Sequence, residues 1–181
     1  TAARLRSGDA LSAKFVEQAL INTDERVRAR KPVTPAFLFA PLLWPAPNAR
    51  FQQVLAQGEP PFRALQIAGA DVIAAQINHI AIPRRFTLPA QEIWDLQMRL
   101  PNRAGPSAAR LVAHPRFRAA YDFVLLREQA GEDLGGLGDW WTRYQLADDD
   151  GRTELSLAVR SPDVPRRSRR RRPRKKTAAG A

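Results

Sequence analysis

His114-Pro115-Arg116-Phe117-Arg118-Ala119-Ala120-Tyr121-Asp122-Phe123-Val124-Leu125-Leu126-Arg127 is the stretch that decides the fold class. Phe117, Ala120, Tyr121, Val124 and Leu125 recur at three- and four-residue steps, the spacing of one face of an α-helix. Phe123 and Leu126 widen that face past half of the circumference, and a helix so broadly apolar packs among other helices. Pro115 suits the first turn, where the amide it lacks has no partner to lose. Arg118 and Asp122 stand four apart on the flank and can pair for about 0.2–0.5 kcal/mol. The stretch therefore predicts a buried central helix around which the C-terminal half packs.

Working outward, the same period recurs on both sides. Asp9 caps an expected helix running to about Arg30, with Phe15, Val16, Ala19, Leu20 and Val27 as its stripe. The cations of Glu25–Lys31 read as a solvated helix end, with RNA contact as the alternative. Thr34-Pro35 opens a wholly apolar helix kinked at Pro41 and ended by Pro45 and Pro47. Asn48 caps a short helix through Leu55. Pro60-Pro61 start a longer one to about Ala81, on whose core side His79 falls as a half-buried residue. Pro83-Arg84-Arg85 reads as a basic corner before a helix over Ala90–Leu100, and Ser107 begins a short helix before the central one. Trp140, Trp141, Tyr144 and Leu146 predict a last helix, the two tryptophans packing beneath it, with stacking on nucleic-acid bases as the alternative. Only Thr153–Val159 alternates like a strand, and one isolated strand does not stand alone in water.

The expectation is an all-α protein, an irregular packing of about seven helices. Residues 1–147 form the helical body, 148–160 an irregular connection, and 161–181 a disordered Arg/Lys-rich tail with nothing apolar to bury. The chain has 181 residues and a net charge of +11, and ten of its Arg and Lys lie between Arg160 and Lys176. With Asp163 the segment from Arg160 onward carries +9, leaving +2 for the 159 residues before it. A neutral body with a basic tail points to a polyanionic partner, nucleic acid before an anionic membrane. The tail lacks the apolar anchors that a membrane helix needs.

The chemistry of the chain is as informative. It has no cysteine, so disulfides and thiolate metal sites are excluded, which is compatible with a reducing cytoplasm. With only His79 and His114, a histidine-rich metal site is not expected. No phosphate-cradling glycine loop, serine-nucleophile elbow or zinc-protease helix is present. Gly135-Gly136 followed after eleven residues by Asp148-Asp149-Asp150 imitates a two-metal site. Such sites need carboxylates on a rigid element, and here the aspartates run into Gly151, so a surface acidic turn is the reading.

Phe15–Pro45, with Phe-Val-Glu-Gln-Ala-Leu-Ile-Asn-Thr-Asp-Glu-Arg at its start and Pro-Ala-Phe-Leu-Phe-Ala-Pro-Leu-Leu-Trp-Pro at its end, resembles the middle of bacterial poly(A) polymerases of the nucleotidyltransferase superfamily. Ile82-Pro83-Arg84-Arg85-Phe86, Glu92-Ile93-Trp94 and Gln97-Met98-Arg99 resemble the same family, as do His114–Arg127, Trp140-Trp141 and the arginine-rich tail. The resemblance runs from about Gly8 onward. It implies the C-terminal helical portion alone, beginning after the head that carries a Gly-Gly turn and paired aspartates. The start at Thr1 without methionine agrees with a processed protein or a piece of a longer one.

The resemblance implies an RNA-binding region that holds RNA for 3′ polyadenylation by the missing head. No cofactor is expected in this chain, ATP and magnesium belonging to the head, and the chain alone is expected to be inactive in the cytoplasm. Phosphate contacts are expected from Arg84, Arg85, Arg116 and Arg118 in the body. In the tail they are expected from Arg166, Arg167, Arg169, Arg170, Arg171, Arg172, Arg174, Lys175 and Lys176. The rival reading is a stand-alone basic adaptor that binds RNA or an acidic protein partner.

Overall fold

Gln97 ties together the two helices on which everything else is mounted. The computed structural model describes residues 2–79 and 82–159, and these contain nine helices and no strand. They are α1 (Ala2–Arg28), α2 (Pro35–Leu43), α3 (Pro45–Ala56), α4 (Pro61–Ile77), α5 (Arg84–Arg99), α6 (Pro106–Val112), α7 (Phe117–Gln129), α8 (Leu137–Leu146) and α9 (Asp149–Ala158). The tail expected to be disordered, with all nine of its candidate cations, lies outside the described residues.

Two apolar clusters share α5 and α7. Ile93 and Trp94 of α5 and Phe123 and Leu126 of α7 join Phe15, Ala40, Trp44 and Leu65 in the first. Leu96, Leu100, Phe117, Tyr121 and Val124 join Leu111, Leu137, Trp140, Trp141 and Tyr144 in the second. Each cluster centres on a buried indole whose N–H must find an acceptor. Trp94 Nε1 donates to the Ala40 carbonyl at 3.0 Å, and Trp141 Nε1 to the Leu100 carbonyl at 3.2 Å. Both acceptors sit at helix ends. The Trp44 amide turns to the Pro41 carbonyl, and this leaves Ala40 free to receive Trp94.

The central helix behaves as its spacing predicts: Phe117, Ala120, Tyr121, Phe123, Val124 and Leu126 are all buried. Arg118 pairs with Asp122 at 3.2 Å. Its start differs. Pro115 lies in the preceding turn and Arg116 is the N-cap, because the His114 carbonyl takes the Phe117 amide and His114 Nδ1 takes the Arg116 amide.

Several boundaries also move. Asp9 lies inside α1, which begins at Ala2, since the alanines, arginines and Leu5 before it are strong helix formers. Pro45 starts α3 rather than ending α2, with Pro47 in the same first turn, where missing amides leave nothing unpaired. Pro89 lies inside α5, which begins at Arg84. The Arg85 carbonyl that Pro89 cannot serve belongs to the exposed first turn and can be satisfied by water. His79 is exposed just past the end of α4, not half-buried on its core side.

The expected irregular connection over 148–160 is helical across Asp149–Ala158. Asp148 is its N-cap, its carboxylate accepting the Gly151 amide at 2.9 Å. Asp149 and Asp150 in the first turn complement the helix dipole. Arg152 then reaches back to the Tyr144 carbonyl at 3.1 Å, and Leu155 packs on the second cluster. These tertiary contacts override the strand-like alternation.

α1 ends unusually. Arg30 has φ 53°, the left-handed conformation that glycine adopts without cost. The Lys31 amide bonds the Arg26 carbonyl and the Arg30 amide the Val27 carbonyl, a Schellman end with arginine where glycine is usual. α7 ends the same way with Gly131 at φ 98°.

Two predictions follow from these backbones. Arg30→Gly should raise stability in urea unfolding by about 0.5–1 kcal/mol, the left-handed penalty of roughly 1–2 less the added freedom of unfolded glycine. A loss would mean the arginine side chain anchors the turn. Gly138 of α8 donates its amide to Glu128 at 3.0 Å, and a Cβ there would also meet Leu125 Cδ2 at 2.7 Å. Overpacking costs about 1–3 kcal/mol and helix propensity returns up to about 1, so Gly138→Ala should cost about 1 kcal/mol net. A more stable variant would show that Glu128 and Leu125 swing aside freely.

Candidate nucleic-acid interface

The four arginines expected to meet phosphate in the body divide into two pairs. Arg116 Nε lies 2.8 Å from Glu92 Oε2, both side chains about half exposed. Arg118 pairs with Asp122 and lies 5.2 Å over the Tyr121 ring. Burial pushes the Asp122 carboxyl up from its usual range while Arg118 pulls it down, so this arginine compensates a half-buried acid. The charges of Arg116 and Arg118 are thus answered within the body.

Arg84 and Arg85 are exposed, and neither lies within ion-pair distance of a carboxylate among the described residues. They occupy the first turn of α5, where the helix dipole disfavours a cation by about 0.3–1 kcal/mol each. The Arg85 guanidinium lies 4.9 Å over the Phe86 ring, and Phe86 stacks on Phe39 of α2 at 5.7 Å and 24°. The structure therefore brings Arg85 onto a pair of half-buried aromatic rings, with Arg84 next to it in the chain.

The end of α1 carries further exposed cations. α2 and α5 run in the same direction, since Phe39 meets Phe86 and Trp44 meets Trp94. Only 29–34 separate α1 from the start of α2, and Arg26 Nη2 donates to the Pro32 carbonyl at 3.1 Å, folding this connection back. Arg28, Arg30 and Lys31 are exposed there, again with no ion pair among the described residues. Arg26 is different, being close enough to help hold the Asp122 carboxyl down. The sequence offered these cations as a solvated helix end, with RNA contact as the alternative.

The tryptophans offer no free face. Trp140 is 6% exposed and Trp141 fully buried, their rings meeting edge to face at 4.8 Å. Tyr144 stacks on Trp140 at 5.0 Å and Arg103 covers it at 5.4 Å. They pack in the core, as the first of the two readings had it.

The Gly-Gly and triple-Asp imitation of a metal site also has a structural account. Gly136, with φ 67°, is the N-cap of α8, and Asp148 caps α9. No group of three or more His, Asp or Glu among the described residues is placed to hold a metal ion. No described helix is long and apolar enough to cross a membrane.

Comparison with known proteins agrees with the charge distribution. The family described as the polymerase A arginine-rich C-terminus matches residues 57–176, from α4 into the basic segment. Poly(A) polymerase I of Salmonella typhi is 37% identical over 174 residues, 94% of this chain and 37% of that protein. Poly(A) polymerase I of Escherichia coli O6:H1 is 39% identical over 175 residues, again 94% of this chain and 37% of the relative. That of Haemophilus influenzae is 33% identical over 149 residues, 81% of this chain and 33% of the relative. The chain thus spans little more than a third of the length of the curated relatives it matches. It belongs to the family of arginine-rich C-terminal regions of bacterial poly(A) polymerases.

Proposed function

We propose that this chain holds the RNA whose 3′ end a poly(A) polymerase extends, while a nucleotidyltransferase head outside the chain binds ATP and magnesium and performs the transfer. The observation that carries this reading is the charge: +9 from Arg160 onward, in a region matched to an arginine-rich family, against a nearly neutral body. Arginine and lysine meet phosphates and release condensed counterions, which gives affinity without a base code. A substrate drawn from many transcripts calls for that kind of grip. An RNA substrate also places the work in the bacterial cytoplasm.

The division of labour follows from the side chains. Asp148 is the cap of α9, and Asp149 and Asp150 lie in its first turn. Glu92, Asp122, Glu132 and Asp139 are each paired with an arginine. These acids are therefore engaged in helix ends and ion pairs. The body supplies a rigid mount and the basic segment supplies the field.

Incubated with ATP, magnesium and a labelled RNA primer, the 181-residue chain should leave primer length unchanged. Extension by the pure chain would overturn the placement of catalysis outside it. If about half of the ten cations from Arg160 onward neutralise phosphates, log affinity against log salt should fall with a slope of about −3 to −4. Removing 161–181 should flatten most of that slope and weaken all RNA sequences alike. Unchanged slope and affinity after truncation would take the tail out of the RNA interface.

A further inference from the structure

We infer that the groove between α6 and α9 receives the segment that directly follows α9, residues 160–165, with the Asp163 carboxylate on the Arg103 guanidinium and Val164 against the groove wall. This segment lies outside the described residues. Anchoring it fixes the point from which the arginine run beginning at Arg166 leaves the body, whatever polyanion that run meets.

An unanswered guanidinium marks one end of the site. Trp140 and Tyr144 stack at 5.0 Å and 18°, and each ring carries an arginine, Arg103 at 5.4 Å and Arg152 at 5.8 Å. Arg152 is answered: its Nε donates to the Tyr144 carbonyl at 3.1 Å, and its Nη1 lies 3.6 Å from Asp149. Arg103 has no carboxylate within ion-pair distance among the described residues. Arg99 and Arg110 share that lack but are exposed to water. Arg103 differs because its Nε is buried without an acceptor, the one such side-chain nitrogen or oxygen among the described residues. Burial also works against its charge, lowering its pKa. An unpaired donor on a charged group costs more than one on a neutral group, so this position calls for an anionic acceptor.

Gly105 and Pro106, just beyond Arg103, border a groove of about 480 Å³ that Val112, Tyr144, Ser156 and Leu157 also line. Leu157 is 75% exposed, so the groove has an uncovered apolar edge. Residues 160–165 fit this place by position, reach and composition. α9 ends at Ala158, and Val159 packs on the cluster that holds Trp140 and Tyr144, so the chain leaves the body on this side. Four extended residues from Val159 to Asp163 reach about 14 Å, close to the length of the ten-residue α9, about 15 Å. Arg160-Ser161-Pro162-Asp163-Val164-Pro165 contains the only acid from Arg160 onward, with the only valine beside it. Its prolines disfavour helix at Ser161 and Val164 and so favour an extended path along the groove. An acidic peptide from another protein meets Arg103 only from solution, whereas Asp163 is tethered beside it at high effective concentration.

The test is amide hydrogen exchange of the full chain, followed by NMR. Asp163 and Val164 should exchange at least about tenfold more slowly than in an unstructured peptide of the same sequence. Asp163 follows the last helix, so Asp163→Asn leaves the body folded. It should release that protection while Phe123 in α7 stays as protected as before. D163R should do the same, and R103E/D163R, which reverses the pair, should restore protection. Unprotected Asp163 and Val164 in the parent, or protection that survives Asp163→Asn, overturns the inference. Protection that falls on dilution puts the segment of a second copy in the groove and overturns the intramolecular assignment. If the two amides are unprotected while polyglutamate shifts the Arg103 Nε–H resonance, the groove takes an acidic partner and the inference is overturned. None of these outcomes depends on RNA binding, so the proposed function stands or falls separately.

Discussion

The crossing of α5 and α7 depends on one buried amide. Gln97 donates from Nε2 to the Ile93 carbonyl of its own helix at 3.2 Å and to the Ala120 carbonyl of α7 at 3.1 Å. Its Oε1 accepts from Arg127 Nη1 at 3.1 Å. An amide buried without partners costs about 1–3 kcal/mol, so only the register that satisfies all three bonds is tolerated. Because α5 and α7 each present one face to Trp94 and another to Trp141, fixing their register aligns both clusters. Arg127 extends the link outward, pairing with Glu132 and lying 5.5 Å over the Trp44 ring. A polar pair at the centre thus specifies what the surrounding leucines and aromatics alone would leave adjustable.

Charge in this protein is arranged by consequence rather than by amount. Cations that sit near half-buried acids stabilise the scaffold, as Arg118 does for Asp122. Arg28 in the last turn of α1 suits the helix dipole, whereas Arg84 and Arg85 oppose the helix they begin. Exposed ion pairs contribute little on average, about 0–1 kcal/mol. The interest of the pairing pattern therefore lies in which cations it leaves without a carboxylate partner among the described residues, Arg84 and Arg85 among them.

The central helix was legible because its signal is redundant: six buried positions repeat at one period. Trp140 and Trp141 were placed correctly because aromatic spacing with Tyr144 marks a packed face. Prolines were harder. Pro45 and Pro47 lack amides that the first turn of α3 does not need, and Pro89, the sixth residue of α5, gives up one bond, to the Arg85 carbonyl of the exposed first turn. The residues over 149–158 were misread because Thr153–Val159 alternates, whereas the cap at Asp148 and the reach of Arg152 to Tyr144 decide the outcome. Among candidate site residues, Arg116 looks like Arg84 in sequence. What separates them is Glu92, 24 residues away and brought to 2.8 Å only by packing.

Phe15 meets Phe123 edge to face at 5.2 Å, and Asn22 bonds Gln129 across 107 residues of sequence. Most other contacts join helices that are near neighbours along the chain. Of the nine helices α1 leaves the ribosome first, yet the part of its cover that α7 supplies to Phe15 and Ala19 is made last but two. At about 5–20 residues per second, that face waits several seconds without its partner. Cooperative closure of the body is therefore set by the arrival of α7, and a nascent chain that stalls before Gln129 would present an apolar stripe to chaperones rather than a finished fold.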